Sequence, residues 1–224
     1  MKDLIDIREL KGQHHEIEIL GLKRKAPLYC VDNNIWIVGN EHLSFGCDIE
    51  FTEKVSAELA SRLRKLNPQC LLTAEAKSLA IAYEVARNLG HESFAIARKS
   101  RKEYTRGYIE AEIKSITTAK PQKLVLDDLN VELIKNKRIA LIDDVISTGQ
   151  TMDGLENLAQ KANANVVALA SVWVEGPWPF EKYYEEINSG KLIYLDVLPI
   201  FAVGEEYRSL MKHKERVEKT LNFI

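Results

Sequence analysis

Cysteine is scarce in this chain and never closely spaced. Cys30, Cys47 and Cys70 are the only three among 224 residues, and no CxxC pair occurs. That removes support for a zinc ribbon or a disulfide scaffold, and the odd count points to a reducing compartment, the cytoplasm. The five histidines, His14, His15, His42, His91 and His213, show no HExxH or similar ligand spacing, so no direct protein metal site is expected. No apolar run approaches the roughly 18 residues of a membrane span, and the Met-Lys-Asp start has no apolar leader, so no membrane is expected as a partner. An excess of one charge is missing too: 31 basic against 33 acidic residues leave a net charge of -2. Without a chain-wide positive field, nucleic acid is not an expected partner, and any polyanion must be met by a local site.

What is present suits an ordinary globule, with 46% hydrophobic and 29% charged residues and enough length for one large domain or a core with a lobe. Residues 16–20 alternate apolar and charged, and residues 35–38 form a short apolar run after an Asp-Asn-Asn turn, so the start of the chain reads as a small antiparallel unit. From Thr52, a candidate cap, the spacing of Val55, Leu59, Leu63 and Leu66 predicts a helix that Asn67-Pro68 stops. A strand over 70–73 leads to a second helix with Leu79, Ala82, Tyr83, Ala86 and Leu89 on one face and Gly90 at its end. Strands over 93–97, 108–116, 123–126, 139–142 and 166–174 follow, with a helix from Met152 to Ala162 between the last two. This alternation predicts an α/β fold: a central, mostly parallel sheet with helices on both faces. A small hood would be built from the N-terminal strands and the C-terminal aromatic segment. The expected organisation is a strand-rich hood or extension over 1–50, a core over 51–175, and over 176–224 an aromatic segment, a strand and an amphipathic tail helix.

On such sheets ligands bind beyond the carboxyl ends of the strands. The stretch 139–151, Ile-Ala-Leu-Ile-Asp-Asp-Val-Ile-Ser-Thr-Gly-Gln-Thr, delivers two adjacent carboxylates, Asp143 and Asp144, to such an end. A turn with Ser147, Thr148, Gly149, Gln150 and Thr151 then opens a helix, whose unpaired N–H groups, with the hydroxyls, form an anion cradle. Carboxylates beside a phosphate cradle suit a sugar phosphate, the hydroxyls donating to the acids and the phosphate entering the loop. A Walker-B reading lacks its GxxxxGK[ST] partner, and no GxGxxG fingerprint supports a dinucleotide.

The string 143–151 resembles the signature of the type I phosphoribosyltransferases, most nearly the adenine and other purine enzymes, and the similarity runs over roughly residues 51–174. The resemblance implies that Asp143 and Asp144 hold the ribose hydroxyls of phosphoribosyl pyrophosphate while residues 147–151 hold its 5-phosphate. Glu75-Ala76-Lys77-Ser78 looks like the family's pyrophosphate loop, with Ala76 and Lys77 as pyrophosphate contacts and Glu75 as an acid/base group near the base. The run 98–106, with Arg98, Lys99 and Lys102 as further pyrophosphate contacts, matches a mobile segment that closes over the reaction centre, although a charged run also suits a solvated face. Val145 and Ile146 would flank the base, and Trp36, Trp173 and Trp178 are either stacking partners for it or lid core. The implied activity is magnesium-dependent transfer to a nucleobase, adenine first, the ion arriving on phosphoribosyl pyrophosphate, in a homodimer. Open alternatives are a non-catalytic phosphoribosyl pyrophosphate sensor and a xanthine or pyrimidine enzyme on the same core.

Overall fold

The computed structural model describes residues 4–6, 14–32, 34–103, 107–113 and 122–222. Its centre is a five-stranded parallel sheet in the order β11-β10-β9-β5-β6, built from β5 (Cys70–Ala74), β6 (Ala95–Ala97), β9 (Arg138–Ile146), β10 (Asn165–Glu175) and β11 (Leu192–Leu198). Side chains alternate across a strand, so β9 feeds two cores. Ala140 and Ile142 face the core covered by α2 (Ile49–Leu63) and α3 (Leu79–Leu89). Ile139 and Leu141 face the other, shared with α4 (Asp128–Ile134) and α5 (Gln150–Lys161). Burial on both faces explains why β9 and β10 read as continuous apolar runs.

A second sheet, β1-β12-β4-β3-β2, forms the hood. Four of its strands are N-terminal: β1 (Leu4–Asp6), β2 (His14–Ile19), β3 (Leu22–Asp32) and β4 (Ile35–Val38). The fifth, β12 (Ile200–Ala202), returns from far along the chain and pairs with both β1 and β4. The expected strands near 108–116 and 123–126 do not join the central sheet. They pair with each other as the antiparallel hairpin β7 (Tyr108–Ile113) and β8 (Gln122–Asp127), and positions 114–116 lie outside the described residues.

The cap of α2 is Asp48 rather than Thr52. The Phe51 amide donates to Asp48 Oδ1 at 2.9 Å, while the Thr52 hydroxyl only donates back to the Asp48 carbonyl from inside the first turn. Gly90 ends α3 at φ +80, as expected, but Tyr83 is 57% exposed on the face turned away from the core. The aromatic segment divides between α6 (Trp178–Lys182) and α7 (Tyr184–Asn188). Phe180 and Tyr183 are buried in the α5 core, whereas Trp178 packs with the hood residues Leu4 and Ile200. The tail helix α8 (Gly204–Asn222) lies against β1 and β12, and α1 (Glu41–Ser44) links the hood to α2. Among the described residues no helix is long and apolar enough to cross a membrane.

Candidate active site

Strand β9 does not stop at Ile142 but carries the acidic pair inside its last turn of ladder, with Asp143 paired to Ser171 and Val145 to Trp173 on β10. The Asp144 amide donates to Asp143 Oδ1 at 3.0 Å, and Asp144 is buried. Burial, and then the neighbouring Asp144 charge, push the Asp143 carboxyl well above its ordinary value, with Lys77 pulling only weakly the other way. Two carboxylates held this close, short of donors, form a site that awaits hydroxyls or a cation.

The turn after β9 is rigid. Gly149 adopts φ +77 as the residue before α5, a conformation that favours glycine. Tyr183 donates from its hydroxyl to the Gly149 carbonyl at 3.2 Å, and Lys182 Nζ reaches the Thr148 carbonyl at 3.2 Å and Asp153 Oδ2 at 2.6 Å. The aromatic segment therefore braces the turn from outside.

Asp143, Asp144, Ser147 and Thr151 open into one cavity of about 260 Å³. The loop after β5 supplies Glu75, Ala76 and Lys77, and Lys99 reaches the cavity from the segment after β6. Glu75 Oε1 accepts from the Lys99 amide at 2.8 Å, so one carboxylate ties the two cation-bearing loops together. Below them Thr73 bonds to Ser78 at 2.7 Å and donates to the Ile142 carbonyl at 2.8 Å, fixing the loop to β9. Lys77 Nζ meets Glu41 Oε1 of the hood at 2.8 Å. Burial is the largest single influence on both and works against their charges, yet the ion pair and the other groups around each together outweigh it, so the ammonium is held above and the carboxyl below its ordinary value.

Other expected residues lie elsewhere. Arg98 and Lys102 are not among the described residues lining the cavity. The Arg98 backbone is laddered to Val125, Lys102 is exposed, and residues 104–106 of that run lie outside the described residues. Thr148, Gly149 and Gln150 shape the turn without lining the cavity. Val145 does line it, with Ile37 and Val38 of the hood. Ile146 does not: strand alternation turns it into the α5 core. Nor do the tryptophans line it. Trp173 is fully buried, stacked on Phe51 at 5.4 Å, and Trp36 and Trp178 pack in core clusters.

Several lining residues escaped sequence reasoning, Glu175, Asn40 and Lys123 among them. Glu175 ends β10, only 8% exposed, and burial pushes its carboxyl up to about 7. The signal was there: a lone acid closing a nine-residue buried-looking run, the feature that singled out Asp143. Asn40, 5% exposed, has an amide nitrogen with no partner among the described residues. Lys123 arrives on the β7–β8 hairpin, whose docking no local pattern foretells.

A parallel sheet whose strand ends present an acidic pair, a hydroxyl-rich turn opening a helix and a rim of lysines offers acceptors for sugar hydroxyls beside donors for a phosphate. Residues 48–204 match the phosphoribosyl transferase domain model, and the chain belongs to that family. It is a type I phosphoribosyltransferase, an enzyme of phosphoribosyl transfer to a nucleobase. Curated relatives include a xanthine phosphoribosyltransferase of Clostridioides difficile, 24% identical over 65% of this chain and 76% of that protein. Another, from Lactobacillus delbrueckii subsp. bulgaricus, is 30% identical over 70% of this chain and 81% of that protein. Among solved structures, the adenine phosphoribosyltransferase of Thermoanaerobacter pseudethanolicus superposes with a TM-score of 0.59 at 17% identity, covering 85% of this chain and 99% of that one. That of Leishmania donovani gives 0.58 at 23%, over 88% and 84%. At these identities the solved structures establish the fold alone.

Proposed function

We propose that the enzyme transfers the phosphoribosyl group of phosphoribosyl pyrophosphate to a purine, with xanthine ahead of adenine, giving a nucleoside monophosphate and pyrophosphate. The observation that carries this reading is the convergence of Asp143, Asp144, Ser147, Thr151, Lys77 and Lys99 on one cavity. Asp143 and Asp144 accept from the ribose hydroxyls, whose donors meet the demand that burial leaves on the pair. The turn 147–151 takes the 5-phosphate. Ala76, Lys77 and Lys99 face the pyrophosphate, whose negative charge grows as the C1–O bond breaks; preorganised cations there lower the barrier. Arg98 and Lys102 do not line the cavity, and they take part only if the segment moves inward.

The base lies between Val145 and the hood residues Ile37 and Val38. Glu75 lines the same cavity as the candidate proton acceptor while also holding Lys99. Xanthine moves ahead because the curated relatives at 24–30% identity are xanthine enzymes. The free amide nitrogen of Asn40 also offers a donor that a ring carbonyl oxygen can use.

Among the described residues no three acidic, histidine or cysteine side chains gather to hold a metal, so a magnesium ion fits as cargo of the pyrophosphate and ribose oxygens. Bound there, it would neutralise leaving-group charge; the protein's share is to hold the sugar hydroxyls with Asp143 and Asp144. A homodimer in the cytoplasm completes the proposal, three scattered cysteines without a CxxC pair suiting a reducing compartment.

The test is product formation from phosphoribosyl pyrophosphate and magnesium with xanthine, hypoxanthine, guanine, adenine, uracil and orotate in parallel. Xanthine should give the highest kcat/KM. A preference for adenine would restore the adenine reading. Tight phosphoribosyl pyrophosphate binding with no turnover on any base would point to a sensor.

A further inference from the structure

Lys77 has a choice of acids, and the structure shows which one it takes. Its ammonium donates to Glu41 Oε1 at 2.8 Å, although it lines the same cavity as Asp143 and Asp144. That pair, short of donors, also attracts it, after Glu41 in strength. A flexible stem, 45% exposed, can reach either way, so the choice needs a cause. The cause lies in how each side is anchored. On the loop side Glu75 is tied to the Lys99 amide, and Ser78, 1% exposed, donates to the Ala74 carbonyl at 3.0 Å. The residues flanking Lys77 are thus fixed while its stem stays free. On the hood side Glu41 opens α1, where Leu43 and Ser44 are fully buried and Leu43 packs in the core of α2 and α3. A Cβ at Gly46, just past α1, would come within 2.6 Å of Ala80 Cβ. The end of α1 therefore seats on the first turn of α3, the helix that the Lys77 loop opens. Core packing alone sets Glu41 opposite Lys77.

We infer that Glu41 is a positioning residue that acts through Lys77: it diverts the lysine from the acidic pair, which keeps Asp143 and Asp144 open to ribose hydroxyls and the ammonium turned to the leaving group. The inference rests on the reading of Asp143 and Asp144 as the ribose clamp and of Lys77 as a pyrophosphate contact. An ammonium carries three donors, so Lys77 can meet the pyrophosphate without leaving Glu41. Without Glu41, the carboxylates left to attract Lys77 are Asp144 and Asp143, and the ribose must displace a lysine in order to bind. The acidic pair gains from that contact, because a cation offsets the charge that burial and proximity oppose. Loss of Glu41 therefore weakens sugar-phosphate binding while leaving the fold equally or more stable. A purely structural ion pair behaves in the opposite way, and a half-exposed one contributes little to stability at all.

The experiment is a double-mutant cycle on Glu41→Gln and Lys77→Met. It reads Kd for phosphoribosyl pyrophosphate with magnesium by titration calorimetry, and Tm at pH 7, for all four proteins. With Lys77 present, Glu41→Gln should raise Kd about tenfold and leave Tm equal or higher, a coupling within the range for side chains in contact. In the Lys77→Met background it should leave Kd equal or lower, since it only removes a negative charge beside an anionic ligand. Lys77→Gln takes the place of Lys77→Met if the latter does not fold. An equal rise in Kd in both backgrounds, no rise with Lys77 present, or a lower Tm for Glu41→Gln overturns the inference. A Lys77→Met variant that binds as tightly and turns over as fast as the parent overturns instead the reading of Lys77 as a pyrophosphate contact. Failure of the parent to bind phosphoribosyl pyrophosphate overturns the reading of the site itself.

Discussion

Asp143 shows what the site costs the fold. Its carboxyl holds a proton more readily when folded than when unfolded, because burial and Asp144 both oppose its charge. A raised folded value favours the fold below the unfolded pKa and loses that contribution as pH rises through the folded one. At neutral pH Asp143 thus opposes stability without ligand. Asp143→Asn should raise Tm at pH 7 by about 2–4 °C, the shift that about 1 kcal/mol produces in a chain of this size. The same variant should flatten the decline in Tm between pH 5 and pH 8. A thermal melt in which Asp143→Asn is equal to or less stable than the parent at both pH values would contradict the account of strain in the pair.

At the scale of elements, the turn after β9 depends on a partner remote in sequence. A Cβ at Gly149 would come within 2.3 Å of Tyr183 Oη and 2.9 Å of Lys182 Nζ, on a backbone at φ +77. Gly149→Ala should therefore cost about 1–3 kcal/mol, read as a fall in Tm of roughly 2–4 °C per kcal/mol, and weaken phosphoribosyl pyrophosphate binding. Unchanged melting and binding would show that α6 does not brace the turn. This brace also marks how far the sequence was legible. Apolar period and caps announced α3, β9, β10 and the turn after β9, because those signals are local and strong. The grip of Tyr183 on Gly149 spans 34 residues, and nothing in the spacing of aromatics distinguishes a brace from a hood. The same limit hid β12 in the hood sheet, whereas the cap was misplaced locally, since Asp48 and Thr52 both carry capping side chains. Ile146 looked equal to Val145 until strand alternation sent one to the core and the other to the cavity.

At the scale of the whole molecule, the cavity exists only where three units meet: the strand ends of the central sheet, the hood and the β7–β8 hairpin. The core supplies the acidic pair and the hydroxyl-rich turn after it, and the hood supplies Ile37, Val38, Asn40 and Glu41, the last holding Lys77. Lys123 and Ile113 come from the hairpin. The division agrees with the proposed roles, sugar contacts on the central sheet and base contacts on the hood. The most direct measurement is base-dependent pyrophosphate release, with phosphoribosyl pyrophosphate, magnesium and xanthine, by the parent and by the double variant Asp143→Asn, Asp144→Asn. The account predicts a folded variant with kcat/KM lower by about a hundredfold or more, the effect of losing roughly 3 kcal/mol of transition-state binding. A folded variant that retains activity within about threefold of the parent would contradict the assignment of the acidic pair, and with it the site.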